Sequence, residues 1–95
     1  MNREEIIDRL AKKGYTKKSA NLIIDDVVRV ITEALVEGEE VQLHGFGTFY
    51  VRNMAPRDTN DLLSGERITI PGHNLPKFVP GRTLKRWVRE GIIRE

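Results

Sequence analysis

The 95-residue chain is predicted to form an α+β domain in which two helices lead into an antiparallel sheet with a long hairpin, and a short helix closes the chain. Three observations predict this. Apolar residues recur at helical spacing through the first 38 positions, alternate between Val41 and Ile70, and resume helical spacing after Pro80-Gly81. Glycine and proline punctuate each change of period, at Gly14, Gly38, Gly45, Gly47, Pro56, Pro71 and Pro80-Gly81. The length suits a single small core, so residues 1–95 are read as one domain. Within it, 1–38 form the helical body, 39–80 the sheet and hairpin, and 81–95 the last helix and tail.

Asn2 with Glu5 has the pattern of a capping box, and Ile6, Ile7, Leu10 and Ala11 follow at helical spacing before Gly14 stops the helix. Thr16 can cap a second helix that runs to Gly38. Its apolar positions, among them Leu22, Ile23, Val27, Val28, Val30, Ile31 and Leu35, cover more than a one-sided stripe. A chain this small has little else to cover them, so the helix pair is expected to pack on a second subunit as well. A purely monomeric core is the other reading.

The period then changes to two. Val41 and Leu43 share one side of a strand, Gly45-Phe46-Gly47 turns the chain, and Phe49 and Val51 return with Tyr50 and Arg52 on the opposite side. Glycines on both sides of Phe46 let the backbone bend while its ring turns inward. Beyond Pro56, Asn60-Asp61 and Ser64-Gly65 carry turn chemistry before Ile68 and Ile70 resume alternation, which makes a long hairpin. Pro56 and Pro71 suit an edge ribbon that projects from the body.

The last helix, RTLKRWVRE, places Arg82, Lys85, Arg86 and Arg89 at i, i+3, i+4 and i+7 on one face, with Leu84, Trp87 and Val88 opposite. Like charges at this spacing destabilise an isolated helix by a few tenths of a kcal/mol per pair, so a polyanionic partner is one explanation. An ordinary solvated face is the other. Charge along the chain has the same asymmetry. Residues 1–51 carry 7 Lys+Arg against 9 Asp+Glu, residues 52–72 carry 3 against 3, and residues 73–95 carry 6 against 2.

Other chemistry is not visible. His44 and His73 lack the company of cysteine or a metal-ligand spacing, so neither a metal nor a cofactor is expected. Asp25 and Asp26 diverge by about 100° on a helix, and Ser19 and Ser64 lack a nucleophile context, so no enzyme is expected. The glycines around Phe46 join two strands and precede no helix, unlike a phosphate loop. No apolar run approaches a bilayer span, and the start MNREEIIDRL carries charges where a signal peptide needs an apolar block. A cytoplasmic protein is expected.

The order of elements, with Gly45-Phe46-Gly47-Thr48-Phe49 and Phe78-Val79-Pro80-Gly81-Arg82-Thr83-Leu84-Lys85, resembles the HU/integration host factor family of bacterial histone-like proteins over nearly the whole chain. The resemblance implies an intertwined dimer, identical or mixed, with a helical body below a β-sheet saddle and two projecting β-ribbon arms. It implies that Phe46, Phe49 and Phe78 cluster across the dimer interface. It further implies a nucleoid-associated protein that binds duplex DNA through phosphates and the minor groove and bends it. Arg82 and Lys85 match basic saddle positions, as do Arg3 and Lys17 near the helix starts, with Arg86 and Arg89 extending the same face as Arg82. Arg52, Arg57 and Arg67 fall on the arm.

At the arm tip the sequence departs from the family's Asn-Pro-x-Thr-Gly. It reads Asp61-Leu62-Leu63-Ser64-Gly65, with Leu62 where the wedging proline stands and Leu63 as the rival. Strand alternation would send those two leucines to opposite sides. Asp58 and Asp61 bring negative charge near the expected path of phosphates. A dimeric interaction module or heterodimer subunit with weakened DNA binding is therefore the alternative to an architectural DNA-binding protein of little sequence preference.

Overall fold

The computed structural model describes residues 1–94. Eight elements follow in the predicted order: α1 (Arg3–Ala11), α2 (Lys17–Val36), β1 (Val41–Leu43), β2 (Gly47–Met54), β3 (Arg57–Asn60), β4 (Arg67–Ile70), β5 (His73–Pro80) and α3 (Arg82–Glu90). They fall into two compact units, one of residues 1–34 and one beginning at Leu35.

In the first unit the Asn2 side chain accepts a hydrogen bond from the Glu5 N–H at 3.0 Å, so the predicted cap starts α1. Thr16 Oγ1 accepts from the Ser19 N–H at 3.1 Å and starts α2. The small core holds Ile7 and Ala20, at 6% and 1% exposure. Five apolar residues of α2, Leu22, Ile23, Val27, Val28 and Val30, keep about half or more of their surface exposed. The width of the apolar surface seen in the sequence is thus left uncovered within this unit.

In the second unit β1, β2 and β5 form an antiparallel sheet in that order. Val41 lies opposite Phe49, and Phe49 opposite Phe78, so these apolar residues share a face. Tyr50 and Arg52, opposite Lys77 and Leu75, occupy the other face. Since β1 pairs with β2 only as far as Phe49, residues from Tyr50 onward continue with β5 as a two-stranded ribbon.

The long hairpin is not one continuous ladder. Pairing lapses after Met54 opposite His73 and resumes at Arg57 opposite Ile70 as a separate β3–β4 sheet. Two residues are skipped on each strand, so the register is unchanged and the gap is not a bulge. Proline supplies the reason: Pro56 and Pro71 have no N–H to donate across the ladder. Gly72 permits a close approach there, because a Cβ at this position would stand 3.1 Å from the Met54 carbonyl oxygen and from Pro56 Cδ.

Candidate nucleic-acid interface

Helix α3 is built on the glycine bend. Gly45 takes φ +81°, the left-handed conformation that favours glycine, and the Phe46 N–H closes the turn onto the Leu43 carbonyl at 3.0 Å. The Gly81 N–H then donates to the Phe46 carbonyl at 2.8 Å, directly before the first residue of α3. A Cβ on Gly81 would lie 3.3 Å from that carbonyl oxygen, so the small residue lets the bend and the helix start meet.

Gly47 has a different task. A Cβ there would stand 2.6 Å from Phe78 Cε1 and Cζ and from the Val79 carbonyl oxygen. The space it vacates holds the Phe78 ring, whose centroid lies 5.3 Å from that of Phe46 and 4.8 Å from that of Phe49. One chain is therefore enough to bring the three phenylalanines together in tilted contact. Within that chain Phe46 and Phe78 remain 45% and 38% exposed.

Fixed in this way, α3 presents Arg82, Lys85, Arg86 and Arg89, all exposed, from one side of the helix. Among the described residues none of the four takes part in an ion pair. Glu90 is engaged by Arg94 at 3.2 Å, and the first turn has no acidic residue. Arg82 lies at the positive end of the helix dipole, which adds to the repulsion among the four. An anion on this face offsets both terms. Trp87 is partly buried, and its indole Nε1 is covered and has no acceptor among the described residues.

The remaining cations are distributed otherwise. Arg52 is exposed on the two-stranded part of β2–β5, and Arg57 and Arg67 lie on β3–β4. Arg57 pairs with Ile70 and Arg67 with Asn60, an odd number of residues from Arg57, so the two arginines leave opposite faces of the ribbon. Arg67 stands 3.9 Å from Asp58 Oδ2, while Asp58 Oδ1 accepts from Thr69 at 2.8 Å. Asp58 thus offsets part of the Arg67 charge.

Arg3 and Lys17, in the helical unit, are both engaged by acids. Arg3 contacts Asp25 Oδ1 at 2.6 Å and donates to the Asn21 side chain and carbonyl, tying α1 to α2. Lys17 lies 3.4 Å from Asp8. These pairs are solvent-exposed and of small energetic weight, so a phosphate can compete for either cation. One cation escaped the reading of the sequence. Lys77 shares the Arg52 face of the sheet, diagonally across the strands, and the alternation of Leu75, Lys77 and Val79 was the signal for it.

At the tip, Asp61 Oδ1 accepts from the Leu63 N–H at 2.8 Å, the Gly65 N–H returns to the Asp61 carbonyl at 2.8 Å, and Gly65 takes φ +72°. Leu62 and Leu63 sit inside this turn and not in a strand, so alternation does not separate them. Both are fully exposed, at 101% and 99%. Among the described residues, no three of His, Cys, Asp and Glu are grouped to hold a metal ion. No helix among them is long and apolar enough to cross a membrane.

Residues 1–89 match the family described as Bacterial DNA-binding protein. The chain belongs to that family. Among its relatives in the bacterial DNA-binding protein family, DNA-binding protein HU of Thermotoga maritima is 48% identical over 90 residues, 94% of this chain and all of the relative. DNA-binding protein HU of Geobacillus stearothermophilus is 43% identical over the same shares. The Anabaena HU–DNA cocrystal structure is similar to this fold with a TM-score of 0.88 at 32% identity, covering 93% of this chain and 97% of that one. A valine-to-isoleucine variant of HU from Thermotoga maritima is similar with a TM-score of 0.71 at 42% identity, covering 93% and 99%.

Proposed function

We propose that this protein is a dimeric, architectural binder of duplex DNA that acts in the nucleoid, holds the double helix through phosphates and the minor groove, bends it, and has little preference for sequence. The observation that carries this reading is the α3 face, four exposed cations without acidic partners among the described residues, on a chain of the bacterial DNA-binding protein family. The likeness to the Anabaena HU–DNA complex supports the same ligand. The role is one of binding and deformation, with no bond made or broken.

Phosphate oxygens meet Arg82, Lys85, Arg86 and Arg89, and Arg52, Lys77, Arg57 and Arg67 follow the backbone along the ribbon. Arg3 and Lys17 join them by exchanging a carboxylate for a phosphate. None of these groups reads a base edge, so affinity rests on charge and on the ease with which the duplex deforms. A second subunit covers Phe46, Phe49, Phe78 and the apolar face of α2, and supplies the second arm. At each tip Leu62 enters a base step as the wedge, with its backbone held by the Asp61 turn.

A salt-titrated binding series on linear, nicked and prebent duplexes of unrelated sequence tests this. The parent should bind all sequences alike and prefer the deformed duplexes. Replacing Arg82 and Lys85 by alanine should weaken every complex by similar factors and flatten the slope of log K against log salt by about 0.9 for each phosphate no longer neutralised. Unchanged affinity would remove α3 from the interface. It would favour instead a protein-interaction module or heterodimer subunit, the reading to which the Asp58–Arg67 contact and the two exposed tip leucines lend weight.

A further inference from the structure

Past the family match, which ends at residue 89, the chain continues as Glu90-Gly91-Ile92-Ile93-Arg94. Gly91 takes φ +75°, and both its N–H and that of Ile92 return to the Trp87 carbonyl, at 2.8 and 3.2 Å. This left-handed cap turns the backbone off the helix axis. The Arg94–Glu90 ion pair ties the turned segment back to α3. Ile92 and Ile93 thereby join Phe46, Leu84, Trp87 and Val88 around an open apolar groove of about 440 Å³. Val88, Ile92 and Ile93 are each more than half exposed.

We infer that this tail is a clasp for a second copy of the same chain, extending the dimer contact beyond the part common to the family. The inference rests on the dimer proposed above, and two observations choose the occupant. Phe46 belongs to both surfaces: one side of its ring meets Phe78, and it also lines the groove. A subunit that covers the aromatic cluster therefore reaches the groove without a break. The groove also lies on the side of α3 opposite Arg82, Lys85, Arg86 and Arg89, so a second copy seated there leaves the cations free for phosphate. A DNA strand would have no charge to meet among the groove's six apolar side chains.

Sedimentation equilibrium of the full chain, of Ile92→Ser/Ile93→Ser and of a chain ending at Glu90 tests the clasp. Emission of Trp87, the sole tryptophan, follows the groove on dilution. The two variants should keep the parent's circular dichroism at high concentration, dissociate at least tenfold more readily, and show the tryptophan red shift at correspondingly higher concentration. A parent that is monomeric at micromolar concentration would overturn the dimer itself. A dimeric parent with equally tight variants would overturn the clasp alone. Unchanged dissociation with weakened DNA binding would also overturn it, by giving the groove to DNA.

Discussion

Replacing Gly47 by alanine puts the aromatic cluster to the sharpest test, because the space for a methyl group is already taken. The new Cβ would stand 2.6 Å from two atoms of the Phe78 ring and 2.6 Å from the Val79 carbonyl oxygen, where ordinary contact begins at 3.4 Å. About 0.8 Å must be found on both sides at once. The carbonyl belongs to β5 and moves only with the β2–β5 ladder, while the ring is held against Phe46 and Phe49. Overpacking of a fixed site costs about 1–3 kcal/mol, and a site with a backbone atom on one side belongs at the upper end. About 3 kcal/mol lowers the melting temperature of a domain this size by roughly 10 °C or more. Gly45→Ala is the control: nothing lies within 4 Å of its Cβ, and only the left-handed φ of +81° is strained, at a cost of about 1–2 kcal/mol. Thermal and urea unfolding at matched protein concentration should rank Gly47→Ala as clearly the worse. An equal or reversed order would refute the packing argument.

Phe46→Ala should destabilise the assembled protein by about 3–5 kcal/mol, and the parent's melting temperature should rise with concentration; a concentration-independent melt would count against a dimer. Leu62→Ala should reduce the DNA bend measured by fluorescence transfer between duplex ends, and the preference for nicked over linear DNA, while the salt slope barely moves. Because Leu62 and Leu63 share one turn, Leu63→Ala should have the smaller effect, and a larger one would transfer the wedge to it.

The elements that repeat were open to reading from the sequence. The caps at Asn2 and Thr16, the over-wide face of α2, the glycine bend around Phe46 and the four-cation face of α3 each follow from local period and residue type. What was closed depends on distant residues meeting. Nothing near Arg3 in the chain announces Asn21 and Asp25, and nothing near Gly47 announces the ring of Phe78. Alternation also misled at the tip, since the Asp61 side chain and Gly65 impose a turn where a strand period would have parted Leu62 from Leu63. Lys77, a single cation between apolar neighbours, made no cluster in the sequence, and the sheet register sets it beside Arg52. The isoleucines after Gly91 gave no period to read.

The gap in the ribbon at Pro56 and Gly72 leaves the ladders on its two sides in one register. A swing of the outer strands about this gap would leave every cross-strand neighbour unchanged, Asp58 opposite Thr69 included. From the gap to the leucines is about five residues of extended chain, roughly 17 Å at 3.4 Å each. A rotation of about 20° would sweep the tip through about 6 Å, the width of the minor groove of B-form DNA. Such a swing would let the tip follow duplexes of different curvature with no ladder hydrogen bond broken in either sheet.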